Sequence, residues 1–145
     1  MKKTFSVIVL LTVLSSCQYS NNKDANEYYN NKDANEYYYK GNAKVDLGDY
    51  IGAIQDYNNA IKLDPKHIYA YANRGCAKSE LGDYRGALQD FNKAIRLDPV
   101  MGDTYFNRGN AKYHLGDKEG ACLDWSKAGE LGDANAYDNI KKHCN

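Results

Sequence analysis

Residues 48–65 read GDYIGAIQDYNNAIKLDP, and residues 82–99 read GDYRGALQDFNKAIRLDP. In the first stretch Ala53, Ile54, Tyr57, Ala60 and Ile61 fall on one side of a helical wheel. Ala87, Leu88, Phe91, Ala94 and Ile95 repeat that stripe after 34 residues. Gly48-Asp49 and Gly82-Asp83 supply a turn and a stop for whatever helix precedes them. Pro65 and Pro99 prevent each stretch from continuing as a helix. The pattern predicts amphipathic helices separated by turns, an all-α chain.

The spacing extends outward from these two copies. Gly116-Asp117-Lys118, Ala121, Trp125 and Ala128 form a third, which closes on Leu131-Gly132-Asp133 without a proline. Upstream of each copy lies a small residue, Gly41, Gly75 or Gly109, and an aromatic, Tyr37, Tyr71 or Tyr105. The small residues allow paired helices to approach closely. A single helix pair cannot bury its stripe, but a stack of pairs can.

This 34-residue pattern resembles the tetratricopeptide repeat family. The resemblance implies an all-α solenoid of three helix-turn-helix repeats, at residues 34–67, 68–101 and 102–135. It departs from the family where Lys40, Arg74 and Arg108 replace the usual leucine, and where Lys44, Lys78 and Lys112 replace the usual tyrosine. Their long stems can still cover apolar surface. Asp56, Asp90 and Asp124 recur at the same spacing and read as solvated helix positions. Residues 134–145 read as a C-terminal capping helix whose stripe is Tyr137, Ile140 and Cys144.

The N-terminus reads as an address. Lys2 and Lys3 precede an apolar run from Phe5 to Leu14, too short to span a bilayer. Leu14-Ser15-Ser16-Cys17 then resembles the lipobox of bacterial lipoproteins. The resemblance implies a signal peptide over residues 1–16, cleavage after Ser16, and acyl chains, palmitate among them, on Cys17. Gln18, rather than aspartate, points by the same analogy to the outer membrane, with the periplasmic or outward orientation left open. Residues 21–29 read NNKDANEYY and residues 30–38 repeat it; residues 17–33 are expected to form the lipidated cysteine and a flexible tether, the rest of the second copy entering the first helix.

Three cysteines remain. Cys122 takes the place of Ile54 and Leu88, and Cys144 lies at a similar height across the turn at Gly132. A Cys122–Cys144 disulfide is expected in an oxidising compartment; two reduced cysteines packed as small hydrophobes are the alternative. Cys76 reads as a small residue on a first helix.

Lysine plus arginine and aspartate plus glutamate both number 19, so no basic excess points to nucleic acid. His67 just past Pro65, His114 at a helix end and His143 in the cap have no partners spaced for a metal site or a triad. No enzyme, catalytic residue, metal or cofactor is expected. In the resembled family the first helices line the concave side and the second helices the convex side. That assigns a partner-binding groove to Tyr38, Asn42, Asn73, Phe106, Asn107, Asn110 and Tyr113, with Val45 and Cys76 beside them. Chaperone-binding members capture a C-terminal carboxylate with asparagines and basic residues. Asn42 and Asn73 fit the asparagine positions, but the basic ones fall on Tyr38, Asp103 and Asn107, so carboxylate capture is not expected.

The sequence thus predicts a lipid-anchored adaptor that binds a protein or peptide partner in the envelope through its groove. A pilotin-like structural subunit of an envelope machine and a glycan-binding lipoprotein are the alternatives. Cys17→Ser is expected to abolish incorporation of labelled palmitate and release the protein from the membrane fraction; unchanged labelling refutes the anchor.

Overall fold

The computed structural model describes residues 32–144, which hold seven helices and no strand. Helix α1 covers residues 32–46, where the described residues begin. Then come α2 Tyr50–Leu63, α3 Ile68–Glu80, α4 Tyr84–Leu97, α5 Gly102–His114, α6 Lys118–Glu130 and α7 Asn135–His143. Cys17 and the first tether copy lie outside the described residues. The helix already includes Lys32 and Asp33, which the sequence reading left in the tether. Ala34 is fully buried, and its burial draws the preceding residues into the helix.

Each helix pair is closed by the same turn chemistry. Gly48 at φ 75° and Gly82 at φ 80° adopt the left-handed conformation that ends α1 and α3. Asp49, Asp83 and Asp117 follow as N-caps, each accepting a hydrogen bond at 2.9 Å from the backbone N–H of Gly52, Gly86 or Gly120. His67, expected in a loop, is instead the buried N-cap of α3. Its Nδ1 accepts from Ala70 N–H at 3.2 Å, and its Nε2 lies 3.2 Å from Asn35 Oδ1. Burial holds the His67 pKa below the usual histidine value.

The core is built unit by unit around one large ring. Tyr57, Phe91 and Trp125 are the largest fully buried side chains. Alanines surround each: Ala53 and Ala60, Ala87 and Ala94, Ala121 and Ala128 are all fully buried. The rings lie against the glycines of the first helices. A Cβ on Gly41 would fall 2.5 Å from the Tyr57 ring, one on Gly75 2.7 Å from Phe91, and one on Gly109 2.7 Å from Trp125. Glycine at these positions lets the two helices of a unit meet with the ring between them.

Helix α7 seals the exposed end with Ile140 and Cys144 of the stripe read from sequence, but with Ala136 in place of Tyr137. Tyr137 is 63% exposed; Ala136 is fully buried and packs with Ile140 and Cys144 against Ala121, Trp125 and Ala128. A methyl side chain allows the cap to approach α6 where a phenol ring would hold it off, so Tyr137 lies beside Gly129 at the rim. Cys122 and Cys144 are joined by a disulfide with Cα atoms 5.7 Å apart, tying α6 to the end of α7. No helix of the described residues is long and apolar enough to cross a membrane.

Gly75→Ala is expected to destabilise the domain by about 1–3 kcal/mol, because the new methyl meets the Phe91 ring and not a flexible chain end. Phe91→Leu added to Gly75→Ala should recover part of the lost thermal midpoint; a Gly75→Ala midpoint equal to the parent refutes the packing argument.

Candidate binding groove

Two polar devices recur along the stack. The first is a buried ion cluster. Asp90 lies on α4, 3% exposed, and takes both carboxylate oxygens to Arg74, Nε at 2.9 Å and an Nη at 2.5 Å. Lys78 Nζ adds a contact at 2.8 Å. Asp124 receives Arg108 Nε at 2.8 Å and an Nη at 2.6 Å, with Lys112 Nζ at 2.9 Å. The Asp124 hydrogen bond raises the Arg108 pKa. In the first unit Asp56 keeps only Lys44, whose ammonium stands 2.7 Å from Oδ2 without hydrogen-bond alignment, while Lys40 turns to Glu36 at 2.7 Å. These aspartates are therefore buried, not solvated as the sequence reading had them. Of the basic residues that replace the family's leucine and tyrosine, all but Lys40 are their counter-charges.

The second device is a row of side-chain hydrogen bonds. Tyr57 Oη donates to Asn42 Oδ1 at 2.7 Å, and Asn73 Nδ2 donates to the same oxygen at 2.9 Å. Trp125 Nε1 donates to Asn110 Oδ1 at 3.0 Å, and Asn139 Nδ2 from the cap joins it at 3.0 Å. In the middle unit Phe91 has nothing to donate, and Cys76 stands where the other units have asparagine. There Asn107 Nδ2 approaches Cys76 Sγ at 3.5 Å. Burial pushes the Cys76 thiol up to about 11, so at neutral pH it is a protonated thiol and a poor nucleophile.

Above this row lie two open cavities. One, about 450 Å³, is walled by Asn42, Val45 and Asp46 of α1, Tyr50 and Tyr57 of α2, and Asn73, Cys76, Ala77 and Glu80 of α3. The other, about 410 Å³, is walled by Cys76, Ser79 and Glu80 of α3, Tyr84 and Phe91 of α4, and Asn107, Asn110, Ala111 and His114 of α5. Every residue of the second wall lies 34 positions after one of the first. The cavities share Cys76 and Glu80, so they abut and form one groove.

Of the groove residues read from sequence, Asn42, Asn73, Asn107 and Asn110 line these cavities, with Val45 and Cys76. Tyr38, Phe106 and Tyr113 do not. The Tyr38 ring packs 5.0 Å from His67 and 6.1 Å from Tyr57. Phe106 packs on the Trp125 cluster, and Tyr113 lies 5.7 Å from Trp125 and 4.5 Å from His143 under the cap. The second helices were assigned to the other face, yet Tyr50, Tyr57, Tyr84 and Phe91 form part of the groove walls. Asp46, Glu80 and His114 were also missed. They occupy one repeat position with changing chemistry, and only their 34-residue alignment marks them. Among the described residues no group of histidine, cysteine and carboxylate side chains is placed to hold a metal ion.

Residues 41–79 match the model of the TPR repeat, and residues 68–99 match that of the Tetratricopeptide repeat. This is a tetratricopeptide-repeat domain. Residues 1–18 match the Prokaryotic membrane lipoprotein lipid attachment site, so the chain also carries a lipoprotein signal. No curated protein matches the sequence. Among solved structures, the first TPR of Spaghetti (RPAP3) bound to the HSP90 peptide SRMEEVD is similar at 28% identity, covering 79% of this chain and 92% of that one, with TM-score 0.76. The Arabidopsis OM64 TPR domain is similar at 29% identity, covering 79% and 97%, with TM-score 0.78. The second TPR domain of human RPAP3, in complex with the HSP70 peptide SGPTIEEVD, is similar at 26% identity, covering 82% and 98%, with TM-score 0.73.

The tetratricopeptide-repeat ion clusters differ in depth, which gives a graded test. Asp90→Asn strands a bidentate arginine and should cost about 3–5 kcal/mol. Asp56→Asn releases a lysine whose side chain is already 37% exposed and should cost under about 2 kcal/mol. Denaturant unfolding of both variants checks the order; equal losses refute it.

Proposed function

We propose that this chain is a lipid-anchored adaptor of the bacterial cell envelope, which holds a peptide or helical segment of a partner protein in the groove between its first helices. The anchor at Cys17 fixes it to a membrane, the outer membrane by the analogy drawn from Gln18. The observation that carries the reading is the pair of repeat-related cavities, which offers one chain of a partner two successive, equivalent seats. Rigid tyrosine rings and asparagine amides line them, suited to contact area and to backbone hydrogen bonding respectively. Two of the similar structures carry peptides, which supports this mode of use. A groove of two cavities buries little surface, so the complex should be weak and transient, with membrane confinement raising its occupancy.

A photocrosslinking amino acid at Glu80, on the shared groove wall, is expected to capture a defined partner in living cells. The same group at Gln89, exposed on α4 and not part of either cavity wall, should capture far less. Equal capture from both positions refutes the groove as the docking surface.

A further inference from the structure

The chemistry of the groove wall narrows the partner. Asp46 and Glu80 are exposed carboxylates on opposite sides of the first cavity, and neither has an ion-pair partner among the described residues. No lysine or arginine lines either cavity. The cations nearest in sequence are committed elsewhere: Lys44 to Asp56, Lys78 to Asp90, Lys112 to Asp124. Tyr50 and Tyr57 supply aromatic wall to the same cavity, and Val45 and Ala77 supply apolar wall. The set holds two anions, the Tyr50 ring, the edge of Tyr57 and a short aliphatic surface.

We propose that the occupant of this groove is a cationic peptide segment of the partner protein, with a lysine or arginine side chain seated in the first cavity between Asp46 and Glu80. The proposal rests on the adaptor reading above and specifies its ligand. The stem of the incoming side chain lies along Val45, and its charged head meets the two carboxylates beside the Tyr50 ring. The field at the groove floor has the matching sign. After burial, Asp46 contributes to raising the Tyr57 phenol to about 12, and Glu80 with Asp103 to raising the Cys76 thiol.

The second cavity fixes register. Glu80 stands there where the first has Asp46, and where the first has Glu80 it has His114, stacked on Tyr84 with centroids 4.5 Å apart, so Glu80 is its only carboxylate. On its wall Ser79 Oγ is buried with no hydrogen-bond partner among the described residues. The cation therefore selects the first seat, which has two carboxylates where the second has one. An acidic segment, such as the EEVD ends of the peptides in the similar structures, would meet like charge.

The test is fluorescence anisotropy of the mature lipidated protein in non-ionic detergent against three labelled pools of short peptides, random in neutral residues and fixed at the centre as lysine, glutamine or glutamate. The lysine pool should bind about tenfold tighter than the glutamine pool, with the glutamate pool weakest. Asp46→Asn with Glu80→Gln should bring the lysine pool down to the level of the glutamine pool measured on the same variant. Both sites are exposed, and circular dichroism checks that the double variant is folded. Equal lysine and glutamine binding, unaffected by the double variant, overturns the cationic ligand. If that equal binding is lost in Tyr50→Ala, the adaptor reading survives; if no pool binds at all, both fall.

Discussion

Everything in this stack depends on a ring lying where a side chain is missing. Tyr57, Phe91 and Trp125 are buried because Gly41, Gly75 and Gly109 present bare backbone to them. The contact sets the distance between the helices of a pair, and that distance sets where the next first helix can lie. The cavities are the spaces left between successive first helices, above those rings. Packing inside each unit and the shape of the binding surface are thus one constraint, and a methyl group on the wrong glycine disturbs both.

Much of this was legible in the sequence because it is local and repeated. The stripe Ala53, Ile54, Tyr57, Ala60, Ile61 and its copy name the core without reference to anything distant. The turn glycines and capping aspartates name the helix ends. The ion clusters were hidden, since their members lie on different helices and each alone reads as a surface charge. Their signal was present as two exceptions with a common rule: an arginine at 74 and 108 is followed after 16 positions by the aspartate it pairs with, whereas Lys40 at the same repeat position turns to Glu36. A departure that recurs in register with an opposite charge is a pair. The cap failed for a different reason. Tyr137 and Ala136 are one residue apart, and periodicity alone favours the larger apolar side chain, whereas close helix approach favours the smaller.

Face assignments failed most often in the groove. Ranking first-helix residues as concave gathers the four asparagines that line the cavities, but not the aromatic walls supplied by the second helices. A ring long enough to fill a unit passes through it, so Tyr57 belongs to the core by its burial and to the cavity by its edge. Conversely, Tyr113, a groove residue by sequence, packs beside Trp125 and His143 under the cap, because the last unit has no following repeat and must bury its own end.

The middle unit shows how the repeats have diverged without losing the fold. Tyr57 and Trp125 each carry a donor into the core, and each finds an asparagine oxygen on the first helix. Phe91 carries none, and the residue facing it is Cys76, whose sulfur demands no strong hydrogen bond. An asparagine facing Phe91 would lose the aromatic donor that its counterparts have, while a cysteine facing Tyr57 would leave the phenol with a poor acceptor. Ring and partner therefore constrain each other in every unit. That coupling fixes the groove floor, and the freedom left to the chain lies one turn further along, at Asp46, Glu80 and His114. Asp46 and Glu80 are exposed, so the fold can change charge there without touching a core contact, and under the proposed function those positions are where partner choice would be set.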